Sequence, residues 1–221
     1  IHNTSKQQAH LQNVKSAIPS ATKPKTTTSS TSSSSDEELI LNPIIDLSGW
    51  QLPQDIDYDV LSNHISGAIV RVFGGSQISK DSNAASSNGI DKSFKTHIKE
   101  LKKRDVPVAV YSYAQGTSVK EMKEEARIFY KNASPYKPTY YWIDVEEETM
   151  SNMEQGVQAF LAELKRLGAE KVGLYIGAYF MLEQEVSTKN FDAVWIPAYG
   201  TDSGYYEALP NTEIDYDLHQ Y

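Results

Sequence analysis

Residues 139–146 read Thr139-Tyr140-Tyr141-Trp142-Ile143-Asp144-Val145-Glu146. The run has the length and the β-branched and aromatic content of a strand. It also carries two acids. Alternation along a strand puts Trp142, Asp144 and Glu146 on one face and Ile143 and Val145 on the other. The apolar pair suits a face covered by helices, so the acids point the other way, toward the axis of a curled sheet. An acid buried among apolar residues costs free energy unless it is paired or used.

Six further runs of strand length accompany it, at 44–48, 67–73, 107–114, 172–178, 193–199 and 216–221. Amphipathic patterns separate the earlier ones. Residues 93–104 place Phe94, Ile98 and Leu101 on one helical face, and residues 118–132 do the same for Met122, Ala126 and Phe129. Residues 153–168 align Val157, Phe160, Leu161 and Leu164. Ser118 with Glu121 and Ser151 with Glu154 have capping-box spacing, and Gly168 suits a helix end. Strand, helix, strand in repetition predicts parallel βα units. From residue 193 the helices fade. The fold class is therefore α/β, an irregular TIM-like barrel, and such barrels carry their chemistry at the C-terminal ends of the strands.

That rule brings Asp46, in the first strand, to the same mouth as Asp144 and Glu146. A desolvated carboxyl beside other acids holds its proton, and can then protonate a leaving oxygen while a neighbour stabilises positive charge on a sugar ring. The two acids of one strand lie ~6.6 Å apart along the backbone, which does not choose between retaining and inverting geometries. The alternative is a structural network in which Arg71 and other cations neutralise the acids. Glu147 and Glu148 are expected to face solvent. Tyrosine occurs 14 times. Trp50, Tyr113, Trp142, Tyr175, Tyr179, Trp195 and Tyr199 lie at or just beyond strand ends, where rings stack on sugar faces as readily as they pack a core. Apart from Tyr179, these aromatics form the candidate substrate-binding set, together with Arg71 and Gln220.

Composition narrows the classes. Residues 1–35 carry four lysines and no acid, so of the formal net charge of −8 the rest of the chain carries −12. An acidic body of that kind does not suit nucleic acid. Zero cysteines exclude disulfides, thiolate zinc sites and cysteine nucleophiles. The five histidines are scattered and form no metal motif, so neither metal nor cofactor is expected. His219 reads as a structural histidine. Ten consecutive hydroxyl residues at 26–35 have nothing to bury. Residues 1–38 therefore read as a basic leader with a flexible Ser/Thr-rich linker, and 39–221 as the catalytic domain.

The segments IIDLSGWQ (44–51), YYWIDVE (140–146), VWIPAYG (194–200) and DLHQY (217–221) occur in that order. They resemble glycoside hydrolase family 25, lysozymes of the Chalaropsis type, as do residues 91–114 and the EEARIFY helix (124–130). The resemblance covers 43–221. It implies an irregular barrel of five βα units followed by three strands. It also implies cleavage of the β-1,4 bond between N-acetylmuramic acid and N-acetylglucosamine in bacterial peptidoglycan. By resemblance Glu146 is the general acid. Asp144 assists the substrate's N-acetyl group or stabilises the oxocarbenium-like state, and Asp46 is the first-strand acid of the site. Retention is the family expectation, with the nucleophile either a carboxylate or the N-acetyl group. The family's last strand bears a further acid, which is expected beyond Tyr221, since Asp217 precedes the QY segment. Ser112 stands where the family often has histidine, and Pro197 where it usually has alanine.

The expected setting is extracellular or wall-associated. An export signal or membrane anchor is expected upstream of Ile1, and the domain is expected to be monomeric. Two readings compete: a non-catalytic glycan-binding barrel, and a family 18-type hexosaminidase. Trp142 and Tyr141 stand where the latter family carries a further aspartate and a glycine.

Overall fold

Alternation within residues 139–146 is repeated in every strand, and it builds a sheet with two different faces. The structure, a computed structural model, describes residues 42–201 and 209–221; the leader and linker expected at 1–38 lie outside the described residues. The strands are β1 (Ile44–Leu47), β2 (Gly67–Phe73), β3 (Val108–Tyr113), β4 (Tyr141–Val145), β5 (Val172–Ile176), β6 (Ala193–Pro197) and β7 (Leu218–Gln220). They form one seven-stranded sheet in sequence order, parallel throughout. Parallel neighbours need a crossover. Helices α1 (Tyr58–Ser62), α2 (Phe94–Lys102), α3 (Val119–Ala133), α4 (Met153–Leu167) and α5 (Ala178–Glu183) follow β1 to β5 in turn. Among the described residues no helix joins β6 to β7, as the fading pattern after residue 193 suggests. The expected α/β class is met as a curled parallel sheet. The Nε2 of Gln220, on β7, donates to Oδ2 of Asp46, on β1, at 3.0 Å, so the curl brings the two edge strands together at their C-terminal ends.

One face of the sheet packs against the helices. Val70, Val110, Ile143, Val145, Leu174 and Ile196 join Ile98, Met122, Phe129, Val157, Phe160 and Leu164 in a single cluster. Each such side chain contributes about 1.5–3 kcal/mol by leaving water. The other face closes on itself, where Ile69, Ala109, Tyr111, Trp142, Tyr175, Ala193 and Trp195 fill the interior. Trp142 and Asp144 thus face inward and Ile143 and Val145 outward, as alternation requires.

Helix ends follow local chemistry with one correction. Ser118 Oγ accepts from the N–H of Glu121 at 3.2 Å, while the Glu121 carboxylate turns back to the N–H of Thr117 at 2.9 Å. The expected cap at Ser151 is instead made by Asn152, whose Oδ1 accepts from the N–H of Gln155 at 2.9 Å. Glu154 leaves the box to accept from the N–H of Ser187 at 2.8 Å. An asparagine next to a serine competes for the same role and here starts the helix one residue later. Gly168 ends α4 in the left-handed region at φ 107°. The short α1 and α5, five and six residues long, were not legible because one turn shows no period.

Gly173 of β5 faces the interior opposite Trp142. A Cβ placed there would lie 2.4 Å from the indole carbons, so the ring occupies the space that any other residue would fill. Gly173→Ala should displace Trp142 and cost about 1–3 kcal/mol, read as a lower urea midpoint at unchanged slope. An unaltered midpoint would show that the interior yields freely.

Candidate active site

The curled sheet gathers the three predicted acids at the C-terminal ends of its strands. Asp46 is half-buried in β1, Asp144 is buried in β4, and Glu146 is exposed one residue beyond β4. Burial pushes the Asp144 carboxyl well above its ordinary range. The charge of Glu146, a hydrogen bond with Glu146 and the charge of Asp46 push it further, while Arg71 opposes. A hydrogen bond between two carboxyls requires a proton on one of them, so Asp144 and Glu146 titrate as a pair. The desolvation anticipated for the strand-end acids therefore falls on Asp144 rather than on Glu146.

Tyrosines frame the pair. Tyr113 of β3 and Tyr175 of β5 are the register partners of Asp144 on either side. The hydroxyls of Tyr175 and Tyr199 lie 3.0 Å apart in a hydrogen bond. Burial raises the Tyr199 pKa, the bond to Tyr175 opposes, and Glu146, Asp46 and Asp144 all add to the rise. One hydroxyl thus senses all three acids. Trp50 follows β1 and is half-buried. Trp142 and Trp195 sit deeper: their rings meet edge to face at 5.7 Å, and they are 2% and 8% exposed. Their contacts are packing contacts of the sheet interior. Gln220 meets the site through its bond to Asp46. Glu147 and Glu148 are exposed as expected, though Glu147 comes near enough to Tyr113 to raise its pKa.

Arg71 does not neutralise the acids by direct pairing. Its Nε donates to Oδ2 of Asp91 at 3.0 Å, with both side chains almost wholly buried. Asp91 escaped the sequence reading and proves central. Its Oδ2 also accepts from the N–H of Gly49 at 2.7 Å, and its Oδ1 from the N–H groups of Ser93 and Phe94 at 2.8 and 3.1 Å. One carboxylate thereby fixes the turn after β1, the arginine of β2 and the start of α2. An acid just ahead of an amphipathic helix was the available signal. His97, 0% exposed, completes the support. Its Nε2–H donates to the Ser48 carbonyl at 3.1 Å and its Nδ1 accepts from the Tyr58 hydroxyl at 2.7 Å. Burial lowers its pKa, which favours the neutral ring. His219 bonds the Ala198 carbonyl at 2.9 Å. Among the described residues no group of His, Asp and Glu is arranged to hold a metal ion, and no helix is long and apolar enough to cross a membrane. An apolar cavity of about 230 Å³ between Ile44, Ala68, Ala109, Trp142 and Leu218 opens at the opposite, N-terminal ends of the strands.

Residues 45–221 match the model of glycosyl hydrolases family 25. The chain belongs to this family. It is accordingly a glycoside hydrolase. Among solved structures, a family 25 glycosyl hydrolase of Streptococcus pneumoniae, described as a virulence factor participating in host cell invasion, is 49% identical. The likeness covers 98% of this chain and 84% of that one, with a TM-score of 0.80. The catalytic domain of an endolysin from a bacteriophage of Listeria monocytogenes is 27% identical over 80% of this chain and 82% of its own, with a TM-score of 0.68. A muramidase from Acremonium alcalophilum, 17% identical over 80% of this chain and 85% of its own, shares the fold at a TM-score of 0.57. No curated protein matches the chain.

The raised Asp144 has a thermodynamic consequence for this family 25 enzyme. The folded state holds that proton above the ordinary value of 3.8, so its contribution to stability is complete below that pH and is lost as pH rises through the folded pKa. Asp144→Asn removes the titration and keeps a donor toward Glu146. The variant should melt above wild type at pH 7, and the gap should close toward pH 4. A variant that melts lower at pH 7 would show that the ionised pair stabilises the fold.

Proposed function

We propose that the chain is an N-acetylmuramidase that cleaves the β-1,4 bond between N-acetylmuramic acid and N-acetylglucosamine in bacterial peptidoglycan. The observation that carries this reading is the buried Asp144 carboxyl, hydrogen-bonded to Glu146 and raised further by the charge of Asp46 at the mouth of the curled sheet. Family membership gives the hydrolase class, and the endolysin and muramidase among its structural relatives support the substrate.

In this reading Glu146, exposed at the rim, donates the proton shared with Asp144 to the leaving glycosidic oxygen as the C–O bond breaks. Asp144 faces the acetamido group of the departing sugar's partner ring and helps to balance the positive charge that develops there. Asp46, held by Gln220, supplies the third negative group and completes the electrostatic field around the oxocarbenium-like state. Trp50, Tyr113, Tyr175 and Tyr199 line the approach, and Trp142, Trp195 and Arg71 support the floor beneath them. An extracellular or wall-associated setting accords with such a substrate, as does a spacer at 1–38 that separates the domain of 39–221 from an anchoring point.

Digestion of purified peptidoglycan followed by identification of the new reducing end tests the proposal. Muramic acid is the expected end, and N-acetylglucosamine there would reject it. Glu146→Gln should lower kcat by about 10²–10⁴-fold while leaving the thermal midpoint nearly unchanged, and retention of more than a tenth of wild-type turnover would remove Glu146 from the acid role.

A further inference from the structure

Helix α3 contributes Met122, Ala126, Phe129 and Ala133 to the helix-facing core, and it buries Glu125 beside them, 1% exposed. Among the described residues no Lys, Arg or His pairs with this carboxylate. A buried charge without a counter-ion is costly unless hydrogen bonds satisfy it. Its partners are backbone N–H groups of two loops. Oε1 accepts from Ser76 at 2.8 Å, and Oε2 accepts from Gln115 at 3.0 Å. The N–H of Gly116 steadies the same charge. Ser76 lies three residues past β2, and Gln115 and Gly116 lie two and three past β3. Both loops therefore stand at the end of the sheet that gathers Asp46, Asp144 and Glu146.

The two loops are packed closely as well as bonded. Gly75 sits at φ 100°, and a Cβ there would lie 2.3 Å from Oε1 of Gln115. A Cβ on Gly116 would lie 2.7 Å from the backbone N of Met122, so the second loop rests directly on the first turn of α3. Glu121, one turn before Glu125, holds Thr117 by its N–H and its hydroxyl at 2.9 and 2.8 Å. A third loop hangs from this assembly. The hydroxyl of Thr149 donates to the carbonyl of Gly116 at 2.8 Å, and Thr149 follows Glu146 by three residues in the connection from β4 to α4. Gly116 is thus held by Glu125 at its N–H and by Thr149 at its carbonyl.

We propose that Glu125 is a positioning residue for the reaction: through Gln115, Gly116 and Thr149 it sets the place of the loop that carries Glu146. The inference rests on the peptidoglycan reading and deepens it. Glu146 lies one residue beyond β4, so the strand alone does not fix it, and the Thr149 bond supplies an anchor three residues further on. Displacing an acid slightly from its leaving oxygen costs turnover, because the reacting atoms no longer meet in line. Glu125 itself touches no substrate and acts only through this relay. A carboxylate with a purely structural role would lower the melting midpoint and leave the turnover of the folded protein unchanged.

The test compares wild type, Glu125→Gln, Thr149→Val, Thr149→Ser and the double variant E125Q/T149V, each well below its melting midpoint. Glutamine keeps the shape of the side chain but puts a donor where an acceptor met an N–H. On peptidoglycan, Glu125→Gln and Thr149→Val should each lower kcat by about 10–100-fold with KM unchanged. Thr149→Ser restores the hydroxyl and should recover most of the loss. The double variant should be no slower than the slower single one, since both changes break the same relay. Without substrate, amide exchange at residues 146–150 should quicken in Glu125→Gln and in Thr149→Val while β5 keeps its wild-type rates. Losses that multiply in the double variant, or wild-type exchange at 146–150 in Glu125→Gln, overturn the inference and leave the peptidoglycan reading in place. No wild-type turnover on peptidoglycan overturns that reading and the catalytic role of the relay with it.

Discussion

The site exists because the parallel sheet curls far enough for β1 to meet β7. Three carboxylates on two strands well apart in the sheet converge only if its edges approach, and the 3.0 Å bond from Gln220 to Asp46 marks that approach across 174 positions of sequence. Parallel strands twist with a fixed hand, and side chains on the concave face must then fill a shrinking interior. The chain meets that demand with large rings against small partners. Trp142 lies over Gly173, and Tyr175 packs edge to face on Trp195 at 4.7 Å. The packed floor fixes the height at which Asp144 stands, and hence how much water it loses.

Asp91 answers a second demand, that of holding a cation near the acids without cancelling them. Had Arg71 paired directly with Asp144, the carboxyl would be ionised and its proton lost. Asp91 instead takes the Nε of Arg71 and three backbone N–H groups, so the guanidinium is fixed from behind. Its charge still lowers the Asp144 pKa, but burial and the two neighbouring acids outweigh it. The structural network anticipated as the alternative use of Arg71 is therefore present, built with a different acid, and it leaves Asp46, Asp144 and Glu146 without a direct pairing to Arg71.

The strands were legible because their composition and alternation are strong. Every predicted run contains an observed strand, and the alternation of 139–146 assigned Asp144 and Val145 to opposite faces correctly. The three long helices were legible for the same reason. Asp91 was not, since a lone acid in the long connection between β2 and α2 gives no periodic signal, and its four bonds reach 42 positions back in the chain as well as to its neighbours. The depth of Trp142 was equally hidden. Alternation gives the side of the sheet, whereas depth follows from shear and from the absence of a side chain at Gly173. Which member of the acid pair is desolvated was hidden for a related reason: Glu146 lies one residue past the end of β4, where the strand no longer covers it.

That displacement clarifies how two acids of like charge can divide their work. Asp144 is the more costly of the two to ionise, because burial acts on it while Glu146 lies at the exposed rim. Burial thus favours placing the proton of the pair on Asp144. In the proposed reaction a glycan lying across the mouth covers Glu146 and removes its water, which raises the cost of its charge. The imbalance that held the proton on Asp144 then shrinks, and proton transfer along the existing hydrogen bond places it on the residue nearest the leaving oxygen. On this argument Asp144 need not be the donor to be indispensable. In the proposed reaction it holds the proton of the pair, and substrate binding shifts that proton toward Glu146.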